Sequence, residues 1–410
     1  MTLQVNGERL WSSLMEMARI GGTEKGGCNR QALTDKDKQG RALFIRWCEE
    51  IGCTLRVDEM GNLFLRKAGR DNSLPPVLTG SHLDTQPTGG KFDGVYGVLA
   101  GLEVLRTLHD ANIETLHPLE VAVWTNEEGA RFSPAMVGSG VWSGEFSLDY
   151  GWSRKDKSGV SIKEELERHG YLGGTPCAPF NIKAALELHI EQGPILEAIE
   201  KPIGVVQGVQ GMRWYDLVIT GQPVHAGPTP MEQRRDPMKA IAKIVSELYH
   251  LAEETGPLAR ATFGDINASP GSRNTVPEQV TLTVDLRHPD QQVLDNMDAA
   301  FRRIAQDICN QCKVEHSIVD EWNSPAVAFN ASCIDAVRFA AEQAGLPYEG
   351  MFSGAGHDSV YVSKVAPTSM IFIPCENGIS HNEAENATPE DITAGCQVLL
   401  GAMVQLANAE

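Results

Sequence analysis

The 410-residue chain lacks any apolar run approaching the roughly 20 residues that span a bilayer. Its opening, Met-Thr-Leu-Gln-Val-Asn-Gly-Glu-Arg-Leu, lacks the basic-then-apolar plan of a secretory signal. Neither a membrane span nor export is expected. Basic residues are also short, since 35 Lys and Arg against 54 Asp and Glu leave a formal charge of -19. That balance favours solubility and argues against nucleic-acid and membrane-surface partners. The nine cysteines are odd in number and scattered, which suits reduced thiols in the cytoplasm. The single Cys309-Asn-Gln-Cys312 has no second pair to complete a zinc knuckle. The glycines of Ser-Gly-Ala-Gly-His-Asp-Ser, residues 353–359, do not form a dinucleotide fingerprint, and no Gly-x-Ser-x-Gly elbow is present. Repeats and low-complexity tracts are absent. What remains is a hydrophobic content of 42% over a length that exceeds one typical core.

The residues that stand out are two adjacent glutamates. Glu127 and Glu128 follow directly on the apolar run Leu119 to Trp124, which reads as a strand. Neighbouring side chains at a strand end point apart, so one carboxylate can hold a cation while the other faces a reacting water. Two like charges this close invite a positive partner. Other candidates lie at comparable places. The apolar strand from Val77 leads to His82 and Asp84, and Asp93 precedes a helical pattern over 95–108. The alternating stretch from Ala185 carries His189, and His381 follows the apolar strand 369–373. In open α/β sheets, ligands bind at the strand ends. Two imidazoles and three carboxylates suit zinc, manganese or cobalt, and five ligands exceed what one tetrahedral ion takes. Taken singly, each residue also has an ordinary reading as a capping group or a solvated face.

Seven segments carry a family resemblance. Gly-Ser-His-Leu-Asp-Thr-Gln-Pro, Phe-Asp-Gly-Val-Tyr-Gly-Val-Leu-Ala-Gly, Asn-Glu-Glu-Gly-Ala-Arg-Phe, Leu-His-Ile-Glu-Gln-Gly-Pro, His-Ala-Gly-Pro-Thr-Pro-Met, Ser-Gly-Ala-Gly-His-Asp-Ser and Ile-Ser-His-Asn-Glu span almost the whole chain. Together they resemble the dimetal N-carbamoyl-amino-acid amidohydrolases, a group that includes β-ureidopropionase, N-carbamoyl-L-amino-acid hydrolase and allantoate amidohydrolase. The resemblance implies that His82, Asp93 and His189 hold one metal and Asp93, Glu128 and His381 the other, with Glu127 as general base. It implies His225 at the oxyanion, and Gln192, Asn274, Arg287, Gly356 and His357 as substrate contacts. For Arg287 the ordinary alternative is a salt bridge to Asp285 on the same strand face. Pro228 departs from the family, which often has Thr or Ala there. The implied cofactor is a pair of divalent ions, zinc first, with manganese, cobalt or nickel as alternatives. The implied reaction is hydrolysis of an N-carbamoyl amino acid to amino acid, carbon dioxide and ammonia. N-Carbamoyl-β-alanine, a compound of pyrimidine degradation, comes first among substrates, then N-carbamoyl-L-amino acids, then allantoate. An N-acyl-amino-acid hydrolase and a catalytically silent metal-binding protein are the other readings.

Fold signals agree with an insertion. Strands and helices alternate to about Gln210 and resume after Pro325, as in a mixed, mainly parallel α/β sheet flanked by helices, and the resemblance implies the dizinc-exopeptidase type. Between them, 214–220 and 280–287 alternate like strands, 260–268 looks extended, and 236–254 and 291–310 have helical periodicity. The expected domains are a catalytic one, 1–211 with 327–410, and an α+β lid and dimerisation domain, 212–326. A free sheet edge on the latter would make the protein a homodimer.

Overall fold

The computed structural model describes residues 3–409. The chain forms two compact units, one from the residues up to Gly208 with those from Ala328 onward, the other from Val209–Val327.

In the first unit the sheet runs in the order Thr54–Val57, Leu63–Lys67, Leu119–Trp124, Val77–His82, Ala184–Ile190, Thr368–Ile373, Ile203–Val209. The four strands from Leu119–Trp124 to Thr368–Ile373 are mutually parallel, and antiparallel strands flank them. All residues of these four are buried, as expected for strands covered on both faces. Their side chains divide by parity. Val121 and Val123 join the core under the helices Gly7–Arg19, Val95–Asp110, Ala331–Gln343 and Pro389–Asn408. Ala122 and Trp124 point the other way, into a smaller cluster with Phe64 and Trp142. The last helix starts as its sequence dictates: the Thr388 hydroxyl accepts from Asp391 N at 3.1 Å, Pro389 occupies the first turn, and Glu390 and Asp391 meet the helix dipole.

In the second unit the order is Glu315–Ser324, Gly211–Thr220, Gln279–His288, Arg260–Thr262, with Ile266–Ser269 also paired to Gln279–His288. Helices Pro237–Thr255 and Gln291–Cys312 bury Leu217, Ile219, Leu282, Val284 and Leu286. Glu315–Ser324 is a strand that the sequence pattern did not reveal. It lies at the sheet edge with half or more of its residues exposed, so no apolar alternation marks it.

Candidate dinuclear metal centre

The four parallel strands end at one edge of the sheet, and each delivers chemistry there. Val77–His82 ends on His82, Leu119–Trp124 runs into Thr125-Asn-Glu-Glu, Ala184–Ile190 carries His189, and Thr368–Ile373 leads to the loop of His381. Register sets His82 beside Trp124 and His189 beside Phe372. Asp93 enters from the turn before the Val95–Asp110 helix. Gly94 there has φ +66°, and a Cβ on it would lie 2.2 Å from His82 Nε2, so only glycine allows this approach.

Donors converge on Asp93. His189 Nε2 lies 3.2 Å and His82 Nε2 3.6 Å from Asp93 Oδ1. His381 Nε2 lies 3.4 Å from Asp93 Oδ2 and 3.4 Å from Glu128 Oε2. His82, Asp93 and His189 form one triplet and Asp93, Glu128 and His381 another, each with its ligand atoms within 4.8 Å of one another. Two donors about 2.0–2.1 Å from a tetrahedral ion are about 3.3 Å apart, so these spacings fit a cation in each triplet. The imidazoles are preset. His82 Nδ1 meets the Asp84 carbonyl at 2.8 Å and His189 Nδ1 the Ile190 carbonyl at 2.9 Å. A carbonyl only accepts, so Nδ1 carries the hydrogen and Nε2 turns its lone pair inward in the neutral ring.

The site is short of positive charge. Burial pushes the Glu127 carboxyl well above the ordinary carboxylate range, with Asp358, Glu128 and Asp93 adding to the effect. Burial and Asp93 raise Glu128 to about 8. For Asp93, burial is outweighed by bonds from His189 and His82, which hold it well below the usual range. For His82, burial is outweighed by Glu127 and Asp93, which raise the imidazole well above its usual value. Acids that keep protons beside an imidazole that seeks one are relieved by cations, and imidazole with carboxylate suits a divalent transition ion. The residues present therefore fit such a pair of ions.

Glu127 belongs to neither triplet. It is 8% exposed, and its Oε2 lies 3.4 Å from His82 Nε2. Asp84 positions both glutamates by accepting from Glu127 N and Glu128 N, each at 3.3 Å. Asn126, Gln192 and His381 adopt φ of +58°, +58° and +53°. Such backbones cost non-glycine residues on the order of 1 kcal/mol and gather at functional sites.

Gln192 Nε2 donates to Asp93 Oδ2 at 2.9 Å, while its buried Oε1 has no partner among the described residues. His357 is buried against the His189 ring, with centroids 4.6 Å apart, and its Nε2 lies 3.0 Å from Ser353 Oγ. Burial and His189 lower its pKa well below the ordinary value. The neighbouring Gly356 sits close to Met136. The other predicted contacts belong to the second unit. His225 is exposed, its Nδ1 accepts from Gly227 N at 3.1 Å, and Ala226 N bonds Asn274 O at 2.9 Å, holding the backbone before Pro228. Arg287 lies on the sheet face opposite the helices and pairs with Asp285 at 2.7 Å. Sequence reasoning assigned no role to Asp84, Glu187, Asp358 or Glu385, all buried. The two-residue spacing of His82 and Asp84 and the run Ser380-His-Asn-Glu-Ala-Glu385 were the available signals.

An α/β sheet whose carboxyl edge gathers two overlapping donor triplets defines a metal-dependent hydrolase architecture. The chain belongs to the peptidase family M20/M25/M40, whose family model matches residues 78–405. It is 49% identical over 405 residues to the N-carbamoyl-L-amino-acid amidohydrolase of Rhizobium meliloti, covering 99% of this chain and 97% of that one. It is 34% identical over 397 residues to the allantoate amidohydrolase of Escherichia coli (strain K12), covering 95% and 96%. The crystal structure of an amidase of the hydantoinase/carbamoylase family from Burkholderia multivorans matches it with a TM-score of 0.97 at 55% identity, covering 100% of both chains. These findings agree with the resemblance carried by the sequence motifs.

Proposed function

We propose that the protein hydrolyses the carbamoyl amide of N-carbamoyl amino acids, giving the amino acid, carbon dioxide and ammonia. The observation that carries this reading is the convergence of two donor triplets on Asp93, with the buried Glu127 left over beside them. His82, Asp93 and His189 would hold one divalent ion and Asp93, Glu128 and His381 the other. Affinity order favours zinc, while availability selects among manganese, cobalt and nickel. When bound, the ions acidify water and polarise the ureido carbonyl, which its two nitrogens otherwise deactivate.

The side chains supply the rest. Glu127 takes the proton of the attacking water and returns it to the leaving nitrogen; its burial favours a carboxyl that can hold that proton. Gln192 Oε1, a buried acceptor without a partner among the described residues, suits a ureido N–H. Because Gly227 N–H bonds His225 Nδ1, the neutral ring carries its hydrogen on Nε2, the right state for an oxyanion donor. Arg287, paired with Asp285 in this structure, would exchange that partner for the amino-acid carboxylate, which its planar guanidinium fits. Asn274, Gly356 and His357 complete the substrate contacts.

The resemblance ranks N-carbamoyl-β-alanine first, whereas the Rhizobium meliloti relative is named for N-carbamoyl-L-amino acids. We therefore place α-amino-acid substrates first and β-alanine, with its place in pyrimidine degradation, second. The Escherichia coli relative keeps allantoate as a separate reading. A homodimer joined through the outer strand Glu315–Ser324 belongs to this proposal. So does a cytoplasmic setting, supported by nine unpaired cysteines. Ammonia release is to be measured side by side from several N-carbamoyl-L-amino acids, N-carbamoyl-β-alanine, allantoate and an N-acetyl amino acid. Turnover of the first group above the others is expected. Reaction of the acetyl compound alone overturns the reading.

A further inference from the structure

Glu385 is a buried carboxylate, 1% exposed, and no Lys or Arg pairs with it among the described residues. An anion kept from water without a cation is costly unless it is fully hydrogen-bonded. Its bonds reach both sides of the candidate centre. Oε1 accepts from Phe92 N at 3.0 Å and from Asp93 N at 3.1 Å. Oε2 lies 3.2 Å from the hydroxyl of Ser380, which is also 3.1 Å from Asp93 Oδ2 and directly precedes His381. Gly90 makes room for this carboxylate, since a Cβ there would lie 2.0 Å from Oε1.

We infer that Glu385 is a positioning residue that locks the turn of Asp93 to the loop of His381 and so builds the Asp93–Glu128–His381 half of the centre. The inference rests on the dinuclear reading above. Asp93 and His381 are 288 residues apart in sequence, and a loop that carries a ligand on a half-exposed side chain needs an anchor. The His381 side chain is 54% exposed, whereas those of His82 and His189 are 2% and 1% exposed and held by their own main-chain carbonyls. Asp93 serves both halves, but His381 serves only one and has no main-chain support of its own among the described residues, so that half depends on Glu385 more. Loss of its acceptor strands two buried N–H groups on the Asp93 turn and frees Ser380, while the His82 and His189 rings keep their supports.

Calorimetric Zn2+ titration of the metal-stripped full chain, with a competing chelator, tests this against thermal melting of the metal-free forms. Wild type should take up two ions per chain. Glu385→Ala should weaken the second ion by on the order of 10–100-fold and the first by less, because the first shares only Asp93 with the Glu385 anchor. Glu385→Gln keeps an oxygen for both N–H groups and should recover most of that loss. If Glu385→Ala does not fold, Ser380→Ala breaks the same link from the other end and should selectively weaken the second ion with an unaltered metal-free melting temperature. Equal weakening of both ions, or none in either variant, overturns the role of Glu385. Failure of wild type to bind two ions overturns the dinuclear reading itself.

Discussion

Stripping the metal should leave a fold that loses stability as pH rises through neutrality, and Glu128 sets the scale. In the folded, metal-free chain this carboxyl is raised to about 8 from 4.5, by burial first and by Asp93 second. Below pH 4.5 it is protonated in both states and makes no difference. Between 4.5 and 8 the unfolded chain releases the proton and the folded chain keeps it, so the folded state binds more protons and stability falls with pH. Above about 8 the loss levels off. At about 1.4 kcal/mol per pK unit, the interval bounds the Glu128 contribution at about 5 kcal/mol. Glu385, raised by burial and Asp93 to about 7, and His82, raised well above its usual value, slope the same way. Asp93 is depressed, so its stabilisation is complete above 3.8 and is lost only in stronger acid, outside this window. A divalent ion replaces the retained protons, so uptake should release protons and tighten with pH. Urea midpoints of chelated and Zn2+-loaded protein at about pH 5, 6.5 and 8 measure the effect, and Glu128→Gln should flatten part of the metal-free slope. A metal-free midpoint that holds constant or climbs over that range refutes the reasoning, as does Zn2+ uptake without proton release.

Glu127→Gln should retain both ions but lower turnover by about 10²–10⁴-fold, the usual worth of a general base; substantial hydrolysis with both ions bound would remove Glu127 from that role. Arg287→Ala should raise KM and cut kcat/KM by about 10–100-fold, from the loss of charge-assisted bonds worth about 1.5–3 kcal/mol. Unchanged kinetics would move carboxylate recognition to another group. Arg41 and Asp37, both 0% exposed, pair at 2.9 Å, and Arg41 also reaches Gly61 O and the Thr125 hydroxyl just before the glutamates. Arg41→Met should cost about 3–5 kcal/mol in urea unfolding because Asp37 is left charged and buried; adding Asp37→Leu should recover much of it, and a single-variant loss below about 1 kcal/mol contradicts the argument.

Much of the first unit was legible because its physics is local. Apolar runs at 119–124 and 369–373 marked strands buried on both faces, and Thr388-Pro-Glu-Asp announced the last helix. In the second unit, alternation over 280–287 foretold the strand Gln279–His288, whose even-numbered residues face the helices. Glu315–Ser324 was illegible because an edge strand that half-buries only His316, Ile318 and Ser324 carries too few apolar residues to show an alternation.

The centre divides in the same way. The proposed ligands were visible as polar residues beside apolar runs or, for Asp93, before a helical pattern, but the convergence of those segments depends on strand order. Val77–His82 lies between Leu119–Trp124 and Ala184–Ile190, with Thr368–Ile373 beyond, and no local pattern encodes that order. The supporting layer was harder still. Asp84, Glu385 and the Arg41–Asp37 pair are polar groups inside the fold, where hydrophobic periodicity leaves only an interruption. Many of their partners are main-chain N–H and carbonyl groups, which carry no sequence identity at all. A ligand can be read from its side chain, whereas the residue that orients it is identified by a bond to backbone that only the folded chain brings within reach. Substitutions in this layer should therefore change metal affinity although every proposed ligand residue is retained.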